Sequence, residues 1–245
     1  MLMPMRELPF RGITGAIHIG AHKAEELDDY LESGINRILW VEANMGLHSE
    51  IEKAISSFPL MRLGRFAAGD EDRLGELRIT NDSQSTSILK LNTHAIEYPH
   101  IVELSKVQVQ IKQIDTWMEE IGAERNIYNL LNLDIQGYEL KALRGCAEQL
   151  RYIEYIYTEV NKQELYRECA SYVEIDEFLA CHGFRRVATV WCRHGWGDAL
   201  YSRKNHKWLP VRVRLALAKR YLLLKKEKLI AYAVGFLKPN RHTAD

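Results

Sequence analysis

Two acids stand where apolar runs stop. Tyr128 to Leu133 runs into Asp134-Ile135-Gln136-Gly137-Tyr138-Glu139, and the run Ile153 to Val160 ends on Glu159 with Asn161 just beyond it. If the two runs are sequential parallel strands they are neighbours, and their ends meet. Two chemistries suit such a meeting. Asp134, Glu159 and Asn161 could supply oxygen ligands to a hard cation such as Mg2+, or the two acids could act as a general base and its orienting partner. The plain alternative is that Asp134 caps the next helix and Glu159 meets a surface lysine. A third acid, Glu42, closes the run Arg37-Ile38-Leu39-Trp40-Val41. One strand away from a glycine turn, a carboxylate at such an end is placed to accept both hydroxyl protons of a ribose; otherwise it caps the helix that follows Asn44.

The glycine turn is Ile17-His18-Ile19-Gly20-Ala21-His22-Lys23-Ala24-Glu25-Glu26. It reads as a buried strand, a tight turn and a helix start with acids in its first turn. In an α/β protein such a junction is expected to aim free backbone N–H groups at the carboxyl edge of the sheet, where nucleotide-like cofactors bind. A dinucleotide would need G-x-G-x-x-G so that its pyrophosphate could lie on bare backbone. Only Gly20 stands at this turn, with His22 and Ala24 where further glycines would be, so a cofactor without pyrophosphate fits better, and S-adenosylmethionine is the candidate. The residues expected to hold it are Gly20, Ala21 and His22 at the turn, Glu42 and Ala43 at the second strand end, and Ala68 and Asp70 in Ala67-Ala68-Gly69-Asp70, where small side chains admit a flat adenine. An ordinary strand-to-helix turn with no ligand is the alternative.

The positioning elements follow in order. Helices are expected at 24–31, 47–55, 91–98, 117–121 with Asp115 as N-cap, 137–150 and 173–182, and strands at 61–68, 75–80, 107–112, 184–191 and 197–202, the last two as an antiparallel hairpin on an otherwise parallel sheet. The hydroxyl-rich loop Asn81 to Ser87 is either a surface turn, or a lid or substrate contact through Ser85 and Ser87. His22, His94 and His194 are reserve bases, and His94 and His194 are further candidates to touch substrate.

At 245 residues the chain can bury one large core. Its 33 basic and 33 acidic residues are unevenly spread: ten basic and two acidic lie from Lys207 onward, leaving 23 and 31 before it. Cys146, Cys169, Cys181 and Cys192 have neither C-x-x-C nor zinc spacing, which implies free thiols in a reducing, cytoplasmic setting. There is no cleavable signal pattern, and Leu229 to Leu237 is too short to span a bilayer. The division expected is a catalytic domain over 1–206 and a basic tail over 207–245. In that tail Leu215, Leu222, Leu229 and Phe236 recur every seven residues between lysines and arginines, the pattern of an amphipathic helix that docks on its own domain, on a second subunit or on an anionic membrane.

Taken in order, these motifs resemble the FkbM-type methyltransferases, a branch of the class I S-adenosylmethionine-dependent enzymes. The resemblance covers Gly15 to Lys204 and rests on Ile19-Gly20-Ala21-His22, Val41-Glu42-Ala43-Asn44, Ala67-Ala68-Gly69-Asp70, Ser85-Thr86-Ser87-Ile88-Leu89 and Ile114-Asp115-Thr116-Trp117. It continues through Asp134-Ile135-Gln136-Gly137-Tyr138-Glu139, Leu143, Gly145, Glu159-Val160-Asn161 and Gly197-Asp198-Ala199-Leu200. The family commonly has Asn at the position of His22 and Glu-Gly at Gln136-Gly137. The resemblance implies a three-layer Rossmann-like fold with a seven-stranded, mostly parallel sheet and an antiparallel final strand. It also implies methyl transfer to a hydroxyl of a sugar, glycan or natural product, with no nucleic acid as partner. Two other readings compete: a nicotinamide-dependent oxidoreductase on a related sheet, and an inactive cofactor-binding partner protein that assembles through its tail.

Overall fold

The structure, a computed structural model, describes residues 12–203. The tail 207–245, with its expected amphipathic helix, lies outside the described residues. In chain order the elements are β1 (Ala16–Ile19), α1 (Leu27–Glu32), β2 (Ile38–Val41), α2 (His48–Ile55), β3 (Arg62–Gly64), β4 (Ala67–Ala68) and β5 (Arg73–Thr80). They continue as α3 (His94–Glu97), β6 (Glu103–Lys112), α4 (Ile114–Glu120), β7 (Leu130–Leu133) and α5 (Glu139–Arg144). The last four are β8 (Tyr155–Asn161), α6 (Tyr172–Cys181), β9 (Phe184–Trp191) and β10 (Trp196–Arg203).

Seven strands form one sheet in the order β3-β2-β1-β7-β8-β10-β9. Pairing is parallel from β3 to β8, and β10 runs antiparallel to both β8 and β9. The strand order reverses between β1 and β7, and a crevice opens there at the carboxyl ends of the strands. This is the three-layer Rossmann-like sheet with an antiparallel last strand.

Period-two alternation sends side chains of the short central strands to two separate cores. Ile17, Ile19, Leu39, Val41, Leu131 and Leu133 pack with α4, α5 and α6 on one face. Ala16, Ile38, Trp40, Leu130 and Tyr157 pack with α1 and α2 on the other. Each fully buried Ile or Leu among them contributes about 1.5 to 3 kcal/mol, so the central strands need no polar face.

Four expectations are corrected. The run 61–68 is two strands: after Gly64 the chain leaves the main sheet, and Ala67–Ala68 pairs with Ile111–Lys112 in a second sheet of order β4-β6-β5. Packing forces the break, because a Cβ on Gly64 would come within 2.6 Å of the Phe66 ring, itself edge-on to Trp117 at 5.2 Å. The helix expected at 91–98 shrinks to α3, held by Asn92 and His94 N–H bonds to the Leu165 carbonyl. The helix expected to reach Leu150 stops at Arg144 and resumes as a 3-10 turn, Gln149–Arg151. Asp115 is not the N-cap of α4, a position filled by Gln113; its carboxylate instead accepts the N–H groups of Glu148 and Gln149 and pairs with Arg125 at 2.6 Å. The four cysteines are free thiols, and among the described residues no helix is long and apolar enough to cross a membrane.

Candidate active site

A cleft of about 620 Å³ opens at the carboxyl ends of the parallel strands, within the size range of small-molecule sites. Gly20 closes β1 there at φ +87°, and a Cβ would lie 2.0 Å from the Asp134 carbonyl oxygen. Glycine is therefore required at this crossing of β1 and β7. His22 (φ 46°) and Ala24 (φ 60°) continue the turn in left-handed conformations, each costing about 1 to 2 kcal/mol. Strain of this kind gathers at functional turns.

The turn's amides are not free, contrary to expectation. Gly20 and Ala21 both donate to Val41 O, and Ala24 donates to Ala21 O. Lys23 N–H donates to Glu25 Oε2 at 3.1 Å and His22 N–H to Glu42 Oε2 at 2.8 Å. Glu42, nine-tenths buried, also accepts the Asn44 N–H at Oε1, 2.7 Å. Burial pushes its carboxyl above the ordinary range while the two amides pull it back. Each oxygen keeps a lone pair for a ligand hydroxyl. Asn44 caps the 3-10 turn Met45–Leu47 that leads into α2, its side chain accepting from Gly46 N–H.

Of the residues expected to hold a cofactor, Gly20, His22, Glu42, Ala43 and Ala68 line the cleft, and Ala67 joins them. Ala21 and Asp70 do not. Ala21 packs in the core beside α1, and Asp70 turns to Lys141 on α5 at 2.8 Å. His22 spans the mouth, with Nδ1 2.6 Å from Glu25 Oε1 and Nε2 2.8 Å from Ser83 Oγ in the hydroxyl-rich loop.

Asp134 and Glu159 do come together, and Gln136 joins them. Its side-chain amide donates to Asp134 Oδ1 at 2.7 Å and Glu159 Oε2 at 3.2 Å, while its carbonyl oxygen accepts the Tyr166 hydroxyl at 2.7 Å. Gln136 is itself left-handed at φ 55°, and its backbone carbonyl takes the Ser87 hydroxyl at 2.8 Å. Burial, followed by the charges of Asp134, Glu139 and Asp198, pushes Glu159 well above the carboxylate range. Beneath them Glu139 Oε1 accepts the Ile135 and Gly137 N–H groups, both at 3.1 Å, and burial lifts its pKa to about 7. Asn161 touches Glu159 through Nδ2 at 3.4 Å but does not line the cleft.

A cation does not fit this arrangement. An amide N–H donor lies between the two carboxylates where Mg2+ would need oxygen ligands, and among the described residues no group of three His, Cys, Asp or Glu side chains is placed to hold a metal.

Ser85, Ser87 and His94 line the cleft; His194 does not. His194 Nδ1 instead binds Glu97 at 2.5 Å and pins the β9–β10 turn to α3. His94 packs against Tyr98 and Tyr166 at centroid distances of 4.8 and 5.2 Å, and Trp196 donates to the Tyr98 hydroxyl at 3.1 Å. Burial lowers the His94 pKa. Sequence reasoning missed Gln136, Tyr166, Tyr98 and Trp196, and also Glu26, which lines the cleft with its pKa lifted by burial to about 7. Only Gln136 carried a signal, as the residue before a glycine at a strand-to-helix junction.

The Methyltransferase FkbM domain family matches residues 18–186. The 2-O-methyltransferase NoeI of Sinorhizobium fredii is 31% identical over 117 residues, 44% of this chain and 47% of that protein, so the match spans about half of that relative's length. Among solved structures, a protein in the NADB-Rossmann superfamily from Streptococcus agalactiae aligns over 97% of this chain and 86% of its own at 11% identity, TM-score 0.48. Fibrillarin from Aeropyrum pernix in complex with S-adenosyl-L-methionine aligns over 79% and 68% at 11% identity, TM-score 0.41. At these values neither structure bears on the chemistry of the cleft.

Proposed function

The chain belongs to the FkbM methyltransferase family, and on that premise we propose that it transfers the methyl group of S-adenosylmethionine to a hydroxyl oxygen of a sugar, glycan or natural-product acceptor. The observation that carries this reading is that Glu42 and the Asp134–Gln136–Glu159 group share one cleft at the strand ends. The turn fits the cofactor. Gly20 leaves its wall bare, Glu42 keeps acceptor capacity for ribose hydroxyls, and Ala67 and Ala68 offer a flat apolar surface. The engaged amides of Gly20 to Ala24 offer nothing to a pyrophosphate, which weighs against the nicotinamide reading.

When bound, S-adenosylmethionine supplies an electrophilic methyl group with a neutral thioether as leaving group. The chain must then align an acceptor oxygen, remove its proton and exclude water. Asp134 is the better base, because burial and the charges of Asp134, Glu139 and Asp198 push the Glu159 carboxyl toward its protonated form. Gln136 fixes the orientation of both acids and is fixed in turn by Tyr166.

Calorimetric titration of the full chain with S-adenosylmethionine and with NAD, followed by a methylation assay on neutral glycans, tests the proposal. Binding of S-adenosylmethionine alone and a methylated hydroxyl product are expected. Preferential binding of NAD would overturn it, and cofactor binding without transfer to any hydroxyl would favour the inactive partner protein.

A further inference from the structure

The strained turn after β1 parts two consecutive acids. With Ala24 left-handed at φ 60°, Glu25 reaches out to His22 Nδ1 at 2.6 Å, while Glu26 turns inward and lines the cleft with its carboxyl 3.9 Å from His18 Nε2. Glu26 stands at the N-cap of α1, yet its side chain makes no capping hydrogen bond. An acid at that position commonly aims its oxygens at the first N–H groups of the helix. This one faces the cleft instead.

A second oxygen nearby has nothing to accept. Asn132 on β7 pairs in register with His18 on β1, so both side chains leave the sheet on the same face. The Asn132 amide nitrogen lies 3.2 Å from His18 Nδ1 and donates to the Tyr30 hydroxyl at 3.2 Å. That occupies the donor end of the amide and leaves Oδ1 buried without a partner, although Asn132 is 1% exposed and lines the cleft. The His18 ring between Asn132 and Glu26 is neutral, its pKa driven down to about 3 by desolvation. It brings no positive charge to either oxygen acceptor.

These acceptors lie where the far end of the cofactor has to pass. β1 is flanked by β2, which Glu42 closes, and by β7, which carries Asn132 and runs into Asp134. A ligand with its ribose at Glu42 and its reacting sulfur toward Asp134 carries its amino-acid end across the bare Gly20 turn. The group at that end which requires oxygen acceptors and a negative charge is the α-ammonium. A buried carbonyl oxygen left unpaired is costly, and a ligand donor removes that cost.

We infer that Glu26, together with Asn132 Oδ1, receives the α-ammonium group of S-adenosylmethionine and so selects a ligand with an intact amino-acid end. The inference rests on S-adenosylmethionine being the cofactor. It adds a subsite outside the motifs that carry the family resemblance, none of which includes Glu26 or Asn132. Glu26 is here a binding residue, not a base. Burial, with the charges of Glu25 and Asp134, raises its pKa to about 7, and an ammonium beside it favours the ionised form.

The test is calorimetry on the full chain at pH 8, where Glu26 is ionised, with three ligands: S-adenosylhomocysteine, its analogue lacking the α-amino group, and 5′-methylthioadenosine, which lacks the whole amino-acid end. Glu26→Gln keeps the size of the side chain and removes the charge. It should weaken S-adenosylhomocysteine about ten- to hundredfold and leave the other two ligands within about a factor of three of the parent. Asn132→Leu should weaken the same ligand and spare the same two. Unchanged affinity of Glu26→Gln for S-adenosylhomocysteine overturns the inference. Equal weakening of all three ligands assigns Glu26 to the fold of the turn and overturns it as well, and the same result for Asn132→Leu removes Asn132 from the subsite. A deamino analogue that binds the parent as tightly as S-adenosylhomocysteine also overturns it. If the parent binds none of the three, the cofactor reading fails first and this inference falls with it.

Discussion

At the β1–β2 end of the cleft backbone groups hold the chemistry in place. Both oxygens of Glu42 are fixed by main-chain N–H groups, and the Gly20 turn is tied to Val41 O. At the β8–β10 end side chains hold one another: Gln136 links Asp134, Glu159 and Tyr166, and Tyr157 donates to Asp198. The first arrangement is local, because its partners sit on neighbouring strand ends. The second gathers residues from four separate segments and depends on buried titratable groups. A region built from backbone tolerates changes of the surrounding side chains and fixes one ligand shape. One built from a side-chain network can be retuned by single substitutions.

The sharpest way to separate the two ends is Asp134→Asn. It keeps the size and backbone of the residue that crosses Gly20 while removing the base, so turnover should fall about 10² to 10⁴-fold. Affinity for S-adenosylmethionine in calorimetry should stay within a factor of about three. Retained turnover would move the base elsewhere and dissolve the contrast.

Glu42→Gln should give the reverse pattern. Both Glu42 oxygens accept N–H groups, so the amide nitrogen of a glutamine must face one donor with another, and cofactor binding should weaken by about 1 to 3 kcal/mol. Turnover at saturating cofactor should hold. A loss in turnover with unchanged affinity would show that the two ends are not separable.

An effect on stability alone, confined to high pH, is expected at Glu139, which lies beneath the loop joining the ends. Its folded pKa of about 7 is raised above the unfolded value, so the folded state holds the proton more tightly. The stability this contributes is fully present below the unfolded pKa near 4.5 and is lost as pH rises through about 7. Glu139→Gln keeps an oxygen for the Ile135 and Gly137 N–H groups without the ionisation. Denaturant titrations should show the variant about 1 to 3 kcal/mol more stable than the parent at pH 8 and close to it at pH 5. Parallel stability curves from pH 5 to pH 8 would remove Glu139 as the titrating group.

The sequence by itself determined the parallel sheet, the Gly20 turn and the three acids at strand ends. A buried four-residue strand is mostly apolar, a tight turn there needs glycine, and an acid stands out where such a run stops. Those signals are local. The split of 61–68 was not legible, since it depends on the distant Trp117 backing Phe66 where both crowd Gly64. Nor was the removal of Ala21, Asp70 and His194 from the cleft, because each was drawn off by a partner elsewhere: the core beside α1, Lys141 and Glu97. Only the tertiary structure decided that the turn's amides are engaged and that Gln136 sits between the two acids. Each of these is a property of which groups remain unpaired after long-range packing, and spacing along the chain does not encode it.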